Sequence, residues 1–213
     1  MDKIQKIMNL LDFIYASCLN HGKRVDSAFQ LAHDYQDNYS DSEQAISSLI
    51  HHESLKASAS GLVTGLGGFI TLPLALPANI AGLLYLQIRL IMAIAILRGY
   101  NVHDERVKTL IYFHLCGNQT RKLLDIEEVG INLSFLDNQL TQLTKGVIIK
   151  MSQQIALKLS CQLGRKGLIT ITRIVPVVGG IINGGIDYAS TYSIGKYAQY
   201  HLKPIPQILT ESF

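Results

Sequence analysis

Apolar residues recur at three- and four-residue spacing from the first turn of the chain. Ile4, Ile7, Leu11, Ile14, Tyr15 and Cys18 form the stripe of an amphipathic helix that ends near Asn20 and Gly22. Its polar face mixes charge signs, so packing on a core suits it better than lying on a membrane surface. Lys6 and Asp12 interrupt what would have to be the continuous apolar stretch of a secretion signal. A second helix is expected from Asp26 to about Tyr35. Ser40 and Glu43 have capping-box spacing and predict a third, with Ala45, Ile46, Leu49 and Ile50 on one face. After Pro77 a long helix can run to Arg98, with Gly99 at the usual C-terminal position. Asp104 is a ready N-cap for the next, which carries Val107, Leu110, Ile111 and His114 towards Gly117. Further helices are expected over 119–128, from Ser134 to about Leu163 with Gly164 closing it, and from about Pro176 to near Leu202. Pro204 and Pro206 make the tail extended. No segment alternates apolar and polar residues as a strand would, so the pattern predicts an all-α fold. The expected organisation is amphipathic N-terminal helices over 1–40 packed on the core, a helical domain over 41–202 and an extended tail over 203–213.

Residues 57–88 contain no Asp, Glu, Lys, Arg or His. The run is long enough to cross a bilayer, yet Pro73 and Pro77 interrupt it and glycines crowd its first half, which a plain anchor would not need. A second uncharged run extends from Ile174 to Ile186. The expectation is a compact multi-helix bundle with two long apolar helices entered through Gly/Pro-rich segments. Gly65, Gly68, Ile70, Thr71 and Pro77 recur as Gly164, Gly167, Ile169, Thr170 and Pro176. Two readings of that recurrence stay open: chance likeness of two glycine-proline entries, or a pseudo-symmetric pair of helical hairpins.

Composition narrows the class more than the chemistry. With 213 residues, 48% of them hydrophobic, and a mean hydropathy of +0.21, the chain can bury a substantial core. A net charge of +3 with no evident basic stripe or aromatic platform argues against a nucleic-acid partner, while leaving a mild attraction to anionic lipid. Cys18, Cys116 and Cys161 are odd in number, far apart and without a CxxC pair, which suits a reducing compartment.

Candidate chemistry is thin. The Gly65–Gly68 turn follows no strand and lacks both the third glycine of a GxGxxG and a following Gly-Lys-Ser/Thr. His51, His52 and Glu53 are metal-type residues, but neighbours on a helix point about 100° apart, and a solvated turn is the expectation there. His114 and Cys116 stand two positions apart on different helix faces. No metal site and no cofactor is expected. More informative are polar groups in apolar surroundings: Arg89 midway along the Pro77–Gly99 helix, Arg173 and Asp187 around the second uncharged run, and Asn183 and Tyr188 beside them. Such charges need partners, and Arg89 with Asp187 is the expected internal pair. The other reading is an arginine that meets a lipid phosphate or a partner's carboxylate. Gly61, Gly65 and Gly68, and Gly180 with Gly184, offer small-residue grooves for close helix packing, a spacing repeated by Gly185 and Ala189.

Taken together, Gly61, Thr64-Gly65, Gly68, Leu76-Pro77, Arg89, Ile94-Ala95 and Gly99-Tyr100-Asn101, then Val175-Pro176-Val177-Val178-Gly179-Gly180 and Asn183, resemble the EcsC family of bacterial proteins over about residue 45 to residue 202. Two positions depart from its pattern: Ala75 stands where an acid is expected before Leu-Pro, and Arg98 where an aromatic precedes Gly-Tyr. The family takes its name from a protein encoded beside ABC-transporter subunits. The resemblance therefore implies a transporter- or membrane-linked accessory role and supplies no reaction.

Three classes of function follow. The favoured one is a non-enzymatic helical protein, cytoplasmic and peripherally associated with the inner face of the membrane, whose partner is membrane lipid or an integral membrane protein. The second is a hydrolase-type enzyme with a pocket near Arg89 and Asp187. The third is a membrane-permeabilising protein that releases a buried apolar hairpin on contact with lipid, with membrane insertion in place of peripheral attachment. Oligomeric state is not written in this pattern.

Overall fold

The computed structural model describes residues 3–20, 26–59, 78–116, 145–171 and 178–205. Every regular element among them is a helix: α1 (Lys3–Leu19), α2 (Ala28–Asn38), α3 (Ser42–Ser58), α4 (Ala78–Leu97), α5 (Glu105–Leu115), α6 (Lys145–Ile171) and α7 (Val178–His201). The all-α expectation is met. The expected helix over 119–128 and the glycine-proline segment before Pro77 lie outside the described residues.

Helix boundaries follow local chemistry. The Ser27 hydroxyl accepts the Gln30 amide at 3.2 Å and starts α2. For α3 the cap is Asp41, not Ser40: its carboxylate accepts the amides of Glu43 and Gln44, one residue later than the capping-box spacing indicated. Asp104 caps α5 by accepting the Arg106 amide at 2.8 Å. Gly99 ends α4 in the left-handed region at φ +84°, and the Tyr100 amide turns back to the Ala95 carbonyl at 3.0 Å. A glycine there avoids the Cβ clash any other residue would bring. By contrast, Gly164 does not close its helix, because α6 runs through it to Ile171. One interior glycine weakens a helix by only about 1 kcal/mol, less than a stop requires.

Helix α4 is the axis of the molecule. It touches α1, α2, α3, α5 and α7, and Ile88, Leu90, Ile91, Met92, Ala93, Ile94 and Ala95 are wholly enclosed. A helix surrounded on all sides must be apolar all round, which explains why its sequence has no polar face. The stretch Ile80–Leu97 is long and apolar enough to cross a membrane, and 83% of it is buried within the protein. Among the described residues it is alone in that property. The expected second apolar helix is not borne out: α7 is long, but Ser193 and Lys196 are exposed on it and Asp187 is half-buried. Helix α1 buries Ile7, Leu10, Leu11, Ile14, Tyr15 and Cys18, and among the described elements α6 packs on α1 and α5.

Among the described elements, α3 and α7 share the most extensive helix–helix contact. A Cβ added at Gly184 would stand 2.6 Å from the Ser58 carbonyl oxygen, and one at Gly195 would stand 2.9 Å from the Ile50 side chain. These glycines are three turns apart, with the fully buried Thr191 between them on the same side. Gly185 faces open space, so the groove expected at Gly185 and Ala189 is not used. After α7, Leu202 is buried and the Ile205 amide donates to the Arg98 carbonyl at 2.9 Å, pinning the extended residues to the end of α4.

Candidate functional site

The most concentrated chemistry in the core is a charge cluster between α3 and α4. Helix α3 buries Ile46, Leu49, Ile50, Glu53, Ser54 and Ala57, a spacing that places one carboxylate in the middle of an apolar face. Opposite it, α4 carries Arg89. Arg89 Nη2 donates to Glu53 Oε2 at 2.6 Å, and Arg89 Nη1 donates to the Asp26 carbonyl at 3.1 Å, just before α2. The other Glu53 oxygen accepts from Lys56 Nζ at 2.7 Å, and that lysine reaches solvent. The guanidinium also lies 5.6 Å from the centre of the Tyr85 ring, and the Cys18 thiol of α1 donates to the Tyr85 carbonyl at 3.7 Å. One arginine thus joins the start of α2, the face of α3 and the centre of α4.

Burial opposes the charge on Arg89, but the Glu53 carboxylate and its hydrogen bond outweigh that, so its pKa is raised above its ordinary value. The Arg89 Nε has no hydrogen-bond partner, so the guanidinium is held by its two terminal nitrogens. Cys18 is pushed far up by burial, despite the nearby Arg89 charge, and remains a thiol.

The expected pairing of Arg89 with Asp187 is corrected: the acid that meets Arg89 is Glu53, while Asp187 sits half-buried on α7. Tyr188 of α7 pairs instead with His51 of α3, at 3.2 Å between the hydroxyl and Nδ1, and stacks on Tyr192. Arg173, Gly61, Gly65 and Gly68 lie outside the described residues, as do the surroundings of Gly180 and Asn183. Glu53 is the residue that sequence reasoning missed, by treating His51, His52 and Glu53 as a solvated turn. They belong to α3, and His52 meets the Tyr35 hydroxyl at 2.6 Å. The signal was present, since position 53 falls in register with Ile46, Leu49 and Ile50.

A second polar cluster explains the Arg98 departure noted above. Its side chain is buried, pairs with Glu43 at 2.6 Å and donates to the Gln199 carbonyl at 3.4 Å, and Gln199 in turn donates to Glu43 and to Ser47. A cation there latches the start of α3 and the end of α7 to the end of α4. Burial raises the Glu43 carboxyl, but the Arg98 and Gln199 hydrogen bonds outweigh it and hold the pKa below its ordinary value.

His114 and Cys116 form no nucleophile pair. His114 Nδ1 donates to the Leu110 carbonyl at 2.7 Å, and complete burial lowers its pKa to about 4, so the ring is neutral. Burial pushes the Cys116 thiol up to about 12, and its hydrogen goes to the Tyr112 carbonyl. Among the described residues no group of three or more His, Cys, Asp or Glu could hold a metal ion. What the arrangement does chemically is neutralise charge inside a packed core.

The model of the EcsC protein family matches residues 4–203, and so takes in α1 and α2 as well as the region that carries the motifs. Neither a curated protein nor a solved structure matches the chain.

Proposed function

The chain belongs to the EcsC protein family, and from that premise we propose that it is a non-enzymatic helical protein of the cytoplasmic membrane face, attached peripherally and assisting a membrane partner. The observation that carries this reading is how the protein uses its most apolar helix. Helix α4 is enclosed by five others, and its central Arg89 is neutralised by Glu53 from inside. Moving that helix into lipid would break a buried ion pair and strand Glu53, which costs about 3–5 kcal/mol. Attachment through the outer surface avoids that loss. The inert thiols at Cys18 and Cys116 and the neutral, enclosed His114 support a non-catalytic role. Arg89 meets Glu53 in place of Asp187, so the ion pair on which the hydrolase alternative was drawn gives that alternative no support.

Fractionation of cells followed by a carbonate wash tests the proposal. The protein should sediment partly with membranes and be mostly released by carbonate. Complete retention would indicate a spanning helix, and complete absence from the membrane pellet would end the reading.

A further inference from the structure

The positive charge of this chain is not scattered. Between Asp137 and Asp187 there is no acidic residue, yet Lys145, Lys150, Lys158, Arg165, Lys166 and Arg173 fall in that interval. With a net charge of +3 overall, the remainder of the chain is therefore net negative. Helix α6 occupies the centre of the basic interval and packs one side on α1 and α5. Met151, Ile155, Ala156 and Leu159 turn inward. The opposite side consists of two adjacent rows at four-residue spacing. Lys145, Ile149, Gln153 and Leu157 are all exposed, and beside them Gly146, Lys150 and Gln154 are exposed with Lys158 half-buried.

Two features of this face stand together. Ile149 is 57% exposed and Leu157 50%, so two large aliphatic side chains face water two turns apart. Among the described residues neither Lys145 nor Lys150 meets a carboxylate, so their charges also face outward. We propose that the outer face of α6 is a docking surface for an anionic lipid bilayer, with Ile149 and Leu157 entering the acyl boundary and Lys145 and Lys150 meeting lipid phosphates. Charge complementarity selects the anionic surface, and the aliphatic pair selects a bilayer over a soluble polyanion. A single-stranded nucleic acid would want stacking rings, and α6 contains no aromatic residue. The lysine stems reach past the apolar row to the headgroups while their ammonium groups stay hydrated. This inference rests on the peripheral-membrane reading and deepens it, by naming the surface and the lipid class.

Flotation of the full chain with vesicles separates the outcomes. Vesicles of phosphatidylcholine with about a quarter phosphatidylglycerol should carry the wild type, and pure phosphatidylcholine should carry far less. Lys145→Gln with Lys150→Gln should weaken partitioning roughly ten- to thirtyfold, and the wild type should lose binding in high salt. Ile149→Ser with Leu157→Ser should weaken it by about tenfold or more without altering the preference for anionic lipid. All four positions are exposed, and thermal melting of each variant pair checks that the fold is intact. If the wild type floats and both pairs float equally well, the face is wrong while peripheral membrane attachment survives. If no vesicle carries the wild type but cell membranes do, and the lysine pair releases it from them, an acidic protein occupies the face and the lipid inference is overturned. If neither vesicles nor cell membranes retain the wild type, both readings fall together.

Discussion

Arg89 can sit in the middle of α4 because each terminal nitrogen has an acceptor and the charge has a counter-charge within 2.6 Å. Replacing it with leucine leaves Glu53 buried with only Lys56, so Arg89→Leu should destabilise the fold by about 3–5 kcal/mol in urea unfolding. Adding Glu53→Gln should recover part of that loss, whereas strictly additive losses would show that the two residues are not coupled. His114 supplies a pH signature of opposite character. Its folded pKa of about 4 lies below the ordinary 6.5, so the unfolded chain takes up a proton that the folded one refuses. Its contribution is complete above pH 6.5 and is lost as pH falls towards 4, with a slope of at most about 1.4 kcal/mol per unit. Urea midpoints across that interval should fall more steeply for the wild type than for His114→Gln, and parallel curves would remove His114 as the cause.

At the scale of elements, α7 is held to α3 by shape. Gly184 faces the backbone of Ser58, which cannot rotate away as a side chain can. Even Gly184→Ala should therefore lower stability by about 1–3 kcal/mol, and Gly184→Ile by more, although both residues form helices better than glycine does. Gly185 is the internal comparison, because its added Cβ meets nothing within 4 Å. Gly185→Ala should leave stability to unfolding unchanged or raise it by about 1 kcal/mol or less. A rise for Gly184→Ala as well would mean that the helices can separate without loss. Two neighbouring glycines of the same helix thus have opposite expected responses, decided by which one faces α3.

For the whole molecule, the arrangement around α4 predicts a core that stays closed at a membrane. Cys18 and Cys116 are buried, with Cys18 against the backbone of α4. In a Cys161→Ser variant, neither remaining thiol should react with a bulky maleimide until denaturant is added, and anionic vesicles should not change this. Labelling of Cys18 on vesicle addition would show α4 leaving its neighbours, as a membrane-permeabilising hairpin requires.

Much of this was legible along the chain. Helical periodicity, the caps at Asp104 and Gly99, and an apolar segment with one arginine at its centre are local properties, written in residue order because hydrogen bonding and side-chain spacing within a helix act over four residues. The resemblance to the EcsC family was legible for a similar reason, since ordered glycine and proline positions survive in the linear text. Partnership was not. Whether Arg89 meets Glu53 or Asp187, whether Gly184 or Gly185 faces a neighbouring backbone, and which face of a basic helix stays in water all depend on how helices distant in sequence rotate against each other. Ridge packing sets that rotation, and a change of one residue in register turns a helix by about 100°. Sequence therefore determined that a buried arginine needed an acid, and only the tertiary structure decided which acid reached it.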